Sequence, residues 1–279
     1  FTGTRGTGKT TCAKILARAV NCQNPQDGNP CNQCPACLGI ENGSILDVLE
    51  LDAASNNGVD QVRALRDEAV YTPAAVKKRV YIVDEVHMLS VAAFNALLKI
   101  LEEPPPHLLF VLATTELHKV PATIKSRCQQ FAFKRILPMQ IAQRLEYVAE
   151  QEGIPLTKEG SALLARLADG GLRDALSLLD QCLGRDSRVT AEVVGAAAGL
   201  ASREYLAELA GAVASQDAAG ALVCVDRLHR DGKDLGRLCG ELCQYFRGLM
   251  LFKTMKEPGG LVQAAAEERE EMARQARGV

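Results

Sequence analysis

Gly3-Thr4-Arg5-Gly6-Thr7-Gly8-Lys9-Thr10 matches the pattern G-x-x-x-x-G-K-T, and a helix-forming segment over residues 10–21 continues from it. Glycines allow backbone N–H groups to turn inward around phosphate oxygens, and the positive end of the following helix points to the same place. Lys9 is expected to reach the β- and γ-phosphates, and the Thr10 hydroxyl to ligate Mg²⁺. The pattern predicts that this loop, with Thr11, binds the phosphates of ATP and magnesium.

A second motif is the apolar strand Val80-Tyr81-Ile82-Val83, which ends in the carboxylates Asp84 and Glu85. Asp84 would hold Mg²⁺, directly or through water, and Glu85 would polarise the attacking water as a general base. The alternative is an acidic turn that caps the next helix. With the phosphate loop upstream, the pair favours an ATPase.

The chain divides into a first part with alternating strands and helices and a second part with helices only. Residues 1–136 alternate apolar strands at 48–51, 79–83 and 108–112 with helical patterns near 59–70 and 91–102, which predicts a parallel sheet covered by helices. Beyond Pro138 only helical patterns follow, at 138–152, 157–168, 172–184, 190–198, 202–214, 217–231, 234–253 and 261–277. We therefore expect a nucleotide-binding domain at 1–136, a helical domain at 137–186 and a second helical domain at 187–279.

The composition excludes several classes of function. The net charge of −2 gives no overall basic field for nucleic acid, and the absence of Trp argues against an aromatic platform for single-stranded bases. The sequence has no apolar run that could span a bilayer and no signal-peptide pattern, so we expect a cytoplasmic location without a membrane partner.

Four of the ten cysteines are clustered, with eight, two and two residues between Cys22, Cys31, Cys34 and Cys37. Four soft ligands at this spacing favour a closed, structural Zn²⁺ site over residues 22–37. An iron–sulfur cluster is the other metal candidate, and two disulfides are a third option. The dispersed cysteines are predicted to be buried free thiols: Cys12, Cys128, Cys182, Cys224, Cys239 and Cys243.

Several further motifs follow in a fixed order: Asp84-Glu85-Val86-His87-Met88-Leu89-Ser90, Ala96-Leu97-Leu98-Lys99-Ile100-Leu101-Glu102-Glu103-Pro104-Pro105, Ala113-Thr114-Thr115-Glu116 and Ile124-Lys125-Ser126-Arg127-Cys128. This order closely resembles the clamp-loader ATPases of the AAA+ class. The four-Cys insertion narrows the resemblance to the bacterial gamma/tau family of DNA polymerase III. The resemblance is dense from residue 3 to about 184 and thins over 185–279.

The resemblance implies an AAA+ P-loop domain with a zinc-binding insertion, an all-α lid and an incomplete all-α collar. Such chains join other clamp-loader subunits in a five-subunit ring. They use ATP to load a sliding clamp on primer–template DNA without base specificity. They belong to the DNA-directed DNA polymerase III complex but carry no polymerase active site. The family's stretch before the phosphate loop helps to hold adenine; this chain opens at Phe1, so we expect a trimmed start and name no adenine-binding residues.

The resemblance also assigns roles to single residues. Thr115 is similar to sensor 1, a polar contact to the γ-phosphate or attacking water, with Thr114 as the adjacent contender. Arg173 is similar to sensor 2, a lid arginine that reaches the γ-phosphate. Arg127 is similar to the arginine finger, which acts in trans on the neighbouring subunit's ATP. For both arginines the alternative is an ordinary surface or salt-bridged side chain.

Two further questions stay open at this point. The segment around Asn56, Asn57 and Arg63 resembles the helix that faces DNA in the ring, although a simple helix cap fits it equally well. The chain as a whole could also be a non-catalytic scaffold like the delta-prime subunit, or another AAA+ ATPase that remodels DNA. The intact phosphate loop argues against the first alternative, and the four-Cys insertion argues against the second.

Overall fold

The computed structural model of the protein describes residues 1–201, 203–255, 262 and 266–278. These residues form two compact units, Phe1–Ile141 with Ala165–Ala175, and Ala142–Leu164 with Leu176–Val279. Each unit contains two separate segments of the chain, so the units do not correspond to the domain limits expected at 136 and 186. Those limits stay predictions. None of the described helices is long and apolar enough to cross a membrane.

The first unit is built on five short parallel strands. They are β1 (Thr2–Gly3), β2 (Val48–Asp52), β3 (Arg79–Asp84), β4 (Leu108–Leu112) and β5 (Ala132–Phe133). β3 pairs with β2 and β4, and β1 pairs with β5. The backbone N–H of Thr114 donates to Phe1, and Thr2 bridges to Thr114, so β1 runs between β4 and β5. The parallel sheet expected from the sequence is confirmed.

Thirteen helices lie within the described residues. They are α1 (Lys9–Asn21), α2 (Pro35–Glu41), α3 (Val59–Glu68), α4 (Val91–Glu102), α5 (Ala122–Lys125), α6 (Pro138–Gln151), α7 (Lys158–Leu167), α8 (Leu172–Leu183), α9 (Ala191–Ala197), α10 (Arg203–Ala214), α11 (Ala218–Arg230), α12 (Leu235–Thr254) and α13 (Ala266–Gly278). The predicted helices are confirmed, apart from the start of the last one at 261–265, which lies almost wholly outside the described residues. Sequence patterns did not predict α2, α5 or β5.

β3 is buried on both faces, and this explains its continuous apolar run. Tyr81 and Val83 pack into the cluster that includes α3 and α4, whereas Val80 and Ile82 pack against α1. Side chains alternate between the two faces of a strand, so an unbroken apolar run is what a doubly covered parallel strand requires. The pairing places Asp52 of β2 opposite Asp84 of β3, so their carboxyl ends meet at one edge.

The second unit is helical, with one isolated parallel bridge between Leu156 and Val189. One core cluster joins α10, α11, α12 and α13 around side chains such as Leu209, Leu228 and Leu249. The expectation that all dispersed cysteines are buried is confirmed for Cys182 and Cys224, whereas Cys128 is only partly buried and the other three are exposed. Cys12, Cys239 and Cys243 are exposed because they lie on helix faces turned away from the cores.

An ion pair fixes the start of β3. Asp47 accepts hydrogen bonds from the backbone N–H groups of Ala74 and Ala75 at 3.0 Å and pairs with Arg79 at 2.9 Å. Burial of the Asp47 carboxyl opposes its ionisation, but the hydrogen bonds outweigh burial and hold its pKa below the usual value. The side chains of Asp47 and Arg79 are only 8% and 16% exposed. This pair therefore anchors the strand that ends at Asp84.

We expect Asp47→Ala to lower the free energy of unfolding of this unit by about 3–5 kcal/mol near neutral pH, because the variant leaves Arg79 buried without its counter-charge. The folded-state pKa of Asp47 is depressed, so its stabilisation is present above the unfolded pKa, about 3.9, and is lost as the pH falls. The difference from wild type should therefore shrink below about pH 4. Urea titration at several pH values measures it.

The control for this prediction is Glu50→Ala. Glu50 lies on β2, three residues after Asp47, and pairs with Lys14, but their side chains are 41% and 53% exposed. Breaking such a pair costs about 1 kcal/mol or less. An equal loss of stability in the two variants would contradict the anchoring role of Asp47.

Candidate functional site

The loop between β1 and α1 needs glycine at defined positions. Gly3 has φ 137°, and a Cβ built there would lie 2.2 Å from the carbonyl oxygen of Phe133 on β5. Gly8 has φ 93° and directly precedes α1. A side chain at Gly3 would clash with the backbone, and at Gly8 it would strain it. The glycines of the motif therefore let the loop lie against the sheet and turn into the helix.

Lys9 closes this loop from inside. Its side chain is almost fully buried, and Nζ donates to the carbonyl oxygens of Gly3 and Thr4, each at 2.9 Å. Burial lowers the pKa of Lys9 from its usual value, while the charges of Glu85 and Asp84 oppose that shift. The ammonium group thus lies at the centre of the loop, where phosphate oxygens can replace the two carbonyls as its partners.

The two sequence motifs meet at the carboxyl end of β3. The Thr10 hydroxyl donates to Oδ2 of Asp84 at 2.7 Å, although the two residues are 74 positions apart. The other Asp84 oxygen, Oδ1, accepts from the backbone N–H of Glu85 at 2.9 Å. A hydroxyl and a carboxylate at hydrogen-bond distance are ligands that suit Mg²⁺. The donor set at this edge therefore fits the ion that the sequence predicted.

Glu85 has a strained backbone and an anchored side chain. Its φ and ψ are 44° and 46°, a left-handed conformation that costs a residue with a side chain about 1–2 kcal/mol. Its Oε2 accepts from the Thr115 hydroxyl at 2.8 Å and from the Thr115 N–H at 3.1 Å. Of the two threonines considered, Thr115 is thus the one that contacts Glu85. Its role as sensor 1 stays a prediction.

His87 is a site neighbour that sequence reasoning did not single out. It lies in a 3-10 turn, Val86–Met88, and its side chain is 5% exposed. Its Nδ1 lies 3.0 Å from the Thr114 hydroxyl and 3.3 Å from Oε2 of Glu85. The only signal in the sequence is its position two residues after Glu85.

Arg173 lies beside the phosphate loop. The N–H of Leu172, at the start of α8, donates to the carbonyl oxygen of Gly6 at 3.0 Å. A Cβ built on Gly6 would lie 3.6 Å from the Cβ of Arg173, whose side chain is exposed. The start of α8 is therefore tied to the loop, which places Arg173 with the other site residues. Its role as sensor 2 stays a prediction.

The remaining predicted residues have hydrogen-bond partners outside the phosphate loop, Asp84 and Glu85. Arg127 follows α5 and contacts Glu102 at 2.5 Å and the carbonyl oxygen of Thr123 at 2.8 Å, neither of which belongs to the loop. Near the start of α3, the Asn56 amide donates to the carbonyl oxygen of Asp52 at 3.2 Å. Asn57 is exposed, and the exposed Arg63 lies 3.4 Å from Asp60. The structure thus leaves the trans finger and the DNA contacts as predictions.

The four clustered cysteines converge on one point. Their Sγ atoms all lie within 4.8 Å of one another. Backbone N–H groups of Cys31, Cys34 and Cys37 donate to the sulfurs of Cys22, Cys31 and Cys34 at 3.3, 3.3 and 3.5 Å. Hydrogen bonds from the N–H groups of Gln23 and Cys37 lower the pKa of Cys34 to about 6. Four sulfurs on a Zn²⁺ ion at about 2.3 Å would be roughly 3.8 Å apart, so this cluster fits one ion.

The cysteine cluster is also tied to β3. Asn21, the last residue of α1, is buried and donates to the carbonyl oxygen of Lys78 at 3.0 Å. Its own Oδ1 accepts from the N–H of Lys78 at 2.7 Å. Lys77 donates to the carbonyl oxygen of Cys22 at 2.8 Å, and Val76 packs against the cysteines. The segment that leads into β3 is therefore held at the end of the phosphate-loop helix.

Family models match the chain in three consecutive parts. The model described as DNA polymerase III, delta subunit, matches residues 1–137. The clamp loader subunit ATPase lid domain matches 140–184, and domain III of the gamma and tau subunits matches 189–279. Together these models, each described as part of DNA polymerase III subunits, match all but a few linking residues of the chain.

Curated relatives agree with the family models. The tau subunit of DNA polymerase III from Bacillus subtilis (strain 168) is 48% identical over 264 residues, which is 94% of this chain and 47% of the relative. The gamma/tau subunit from Mycobacterium tuberculosis (strain H37Rv) is 40% identical over 283 residues, 99% of this chain and 49% of the relative. The chain therefore spans about half the length of these relatives.

Solved structures confirm the AAA+ P-loop fold. The RuvB Holliday junction branch migration motor of Thermotoga maritima superimposes with a TM-score of 0.51 at 14% identity. The match covers 76% of this chain and 66% of that one. At such low identity the likeness concerns the fold alone.

We expect Gly171→Ala to loosen the contact between α8 and the phosphate loop. The added Cβ would lie 2.8 Å from Oδ2 of Asp174 and 3.2 Å from the carbonyl oxygen of Arg5, which is backbone. Overpacking of this kind costs about 1–3 kcal/mol, so exchange of the Leu172 amide hydrogen should accelerate about 10-fold or more. Hydrogen exchange followed by NMR measures this rate.

Gly195→Ala is the matched control. Gly195 lies inside α9, and a Cβ built there meets nothing within 4 Å. Alanine is the better helix former, so this variant should be neutral or more stable by up to about 1 kcal/mol. Unchanged exchange at Leu172 in Gly171→Ala would show that the close approach does not hold the helix.

Proposed function

Since the chain belongs to the gamma/tau family of DNA polymerase III subunits, we propose that it is an ATP-hydrolysing motor subunit of a bacterial clamp loader. In this role it uses ATP to place a sliding clamp on primed DNA during replication. The observation that carries the proposal is the hydrogen bond between Thr10 and Asp84. It joins a phosphate-binding loop to the strand end that presents a general base.

Each residue of the first unit's site has a task in this proposal. Residues 3–11 bind the phosphates, with Lys9 at the β- and γ-phosphates and Thr10 with Asp84 at magnesium. When bound, the ion would neutralise charge on the phosphate oxygens. Glu85 polarises the attacking water, and Thr115 positions Glu85 and that water.

Two arginines complete the proposed site. Arg173 reaches the γ-phosphate from the start of α8, a role supported by the contact of α8 with Gly6. Arg127 serves the ATP of the neighbouring subunit in a five-subunit ring. Its own partners, Glu102 and Thr123, belong to the first unit, and its side chain is 33% exposed. In other NTPases an arginine finger is worth about 10³–10⁵ in rate.

The proposed partners are other clamp-loader subunits, the sliding clamp and primer–template DNA, and the proposed location is the bacterial cytoplasm. The chain's net charge of −2 limits DNA binding to a local patch. We place this patch at the start of α3, where Asn56, Asn57 and Arg63 would contact phosphates. Phosphate contacts carry no direct sequence information, which suits a machine that loads at any primed site.

We propose that the cysteine cluster binds one structural zinc ion. Four thiol ligands leave no position open for a substrate, so the site is not catalytic. The short separations between the sulfurs favour a single ion over a cluster of several irons, which has to fit between more widely spaced thiolates. All ten cysteines are free in the structure, so no disulfide competes for these four.

The second candidate function is a scaffold without ATPase activity. It is favoured by the match of residues 1–137 to a model described as a delta subunit. The Thr10–Asp84 contact and the buried Lys9 argue for the motor, since a scaffold has no need of either. A direct titration with ATP separates the two candidates, because the scaffold would not bind.

The main test is ATP turnover in the assembled clamp loader, with and without clamp and primed DNA. Lys9→Ala should abolish ATP binding, because it removes the charge at the β- and γ-phosphates. Glu85→Gln should bind ATP normally but hydrolyse it about 10²–10⁴ times more slowly, as expected for loss of a general base. The exposed Glu150→Gln on α6 is the control and should match wild type.

Normal turnover by Glu85→Gln would contradict its role as the base. If partner subunits, clamp and DNA did not stimulate ATP turnover, the motor function would be contradicted.

A ring in which this subunit carries Arg127→Ala tests the trans finger. ATP binding should be kept, while turnover at the neighbouring site falls by about 10³ or more. Unchanged turnover would leave Arg127 as a surface ion pair.

Metal analysis tests the zinc site. We expect about one zinc ion per wild-type chain, and Cys37→Ser should lose it, because each thiolate is one of only four ligands. Loss of the metal should also release the Asn21 contacts, so exchange of the Lys78 amide hydrogen should accelerate. Cys239→Ser, at an exposed thiol of α12, should keep its zinc. Iron in place of zinc, or full zinc content in Cys37→Ser, would overturn the assignment.

A further inference from the structure

Glu85, the proposed general base, is held through only one of its two carboxylate oxygens among the described contacts. Thr115 donates to Oε2 of Glu85 through its hydroxyl and its N–H, and Nδ1 of His87 lies 3.3 Å from the same oxygen. None of the hydrogen bonds among the described residues uses the other oxygen, Oε1. A base that polarises water needs one oxygen fixed and one oxygen available, and this arrangement supplies both.

The surroundings of His87 show which ring nitrogen matters. Nδ1 faces the Glu85 carboxylate at 3.3 Å and the Thr114 hydroxyl at 3.0 Å. The ring contacts the carboxylate favourably only in the form that carries a proton on Nδ1, because a bare Nδ1 would set its lone pair against Oε2. Nε2 lies 3.9 Å from the carboxylate of Glu116, too far for a hydrogen bond. Glu116 itself pairs with Lys119 at 2.5 Å.

The backbone explains why this histidine is so placed. The left-handed conformation of Glu85 begins a single 3-10 turn, and this turn folds His87 back onto the side chain of Glu85. The partner of His87, Thr114, is 3% exposed, and its N–H donates to Phe1 at the β1–β4 junction. His87 therefore contacts a buried residue that is hydrogen-bonded to the sheet.

We propose that His87 is a positioning residue for ATP hydrolysis. Its Nδ1–H, together with Thr115, clamps Oε2 of Glu85 and leaves Oε1 to accept from the attacking water. This inference rests on the proposed ATPase function and deepens it. Among the described residues, His87 makes no hydrogen bond to the phosphate loop, to Thr10 or to Asp84. We therefore expect it to act on the chemical step and to leave ATP binding unchanged.

The test uses three substitutions in the assembled clamp loader with clamp and primed DNA. His87→Ala should lower kcat about 10- to 100-fold, a typical loss for a misplaced catalytic group, while the affinity for ATP and KM stay within about 2-fold. His87→Asn places an amide N–H close to the position of Nδ1 and should restore most of kcat. His87→Gln mimics Nε2 and should behave like His87→Ala.

A double variant shows whether His87 acts through Glu85. In a Glu85→Gln background, His87→Ala should have no further effect on the residual rate, because the group that it positions is already inactive. His118→Ala is the matched control: His118 also lies near Glu116 but is 78% exposed, and its loss should leave turnover unchanged. Thermal unfolding of each variant shows that the fold is retained.

The outcomes separate the two proposals. A wild-type assembly without stimulated ATPase would refute the motor function itself. Active wild type with equal rates in His87→Asn and His87→Gln, or with additive losses in the double variant, would refute only the positioning role. A loss of ATP affinity in His87→Ala would assign His87 to binding and overturn the proposal.

Discussion

The site depends on the hydrogen bond that joins Thr10 at the start of α1 to Asp84 at the end of β3. It forms because α1 packs closely on the sheet through Ala13 and Ala17, which meet Val80 and Ile82. Small residues on the helix allow this approach, and the helix then directs its first turn at the strand end. The phosphate loop and the acidic pair become one site only through this packing.

The same two elements are also fixed at their other ends. Asn21 closes α1 and makes two hydrogen bonds to Lys78, next to the start of β3, while Cys22 passes directly into the cysteine cluster. The ion pair of Asp47 and Arg79 also holds the start of β3. Helix and strand are thus held at both ends. This gives the cysteine insertion, remote from the phosphate loop, a physical connection to it.

Polar side chains from two strands meet at the carboxyl end of β3, because β3 and β4 are parallel and paired. β4 lies beside β3, so Thr114 and Thr115 arrive next to Glu85 and His87. Glu85 adopts a left-handed backbone that costs free energy, and the hydrogen bonds to its side chain hold it there. Backbone strain of this kind at a strand end is typical of functional sites. Here the strained turn brings the side chains of Glu85 and His87 next to each other.

The sequence by itself determined the phosphate loop, the acidic pair, the four clustered cysteines and the helices with their regular apolar spacing. Each is a local pattern, in which the chemistry depends on residues a few positions apart. Only the tertiary structure decided that Thr115, not Thr114, contacts Glu85, that His87 turns back onto the same carboxylate, and that α8 begins against Gly6. These contacts join residues distant along the chain, or depend on one left-handed turn, and periodicity carries no information about either. For the same reason the exposure of Cys12, Cys239 and Cys243 escaped the sequence: an apolar neighbourhood along the chain does not fix which face of a helix meets the core.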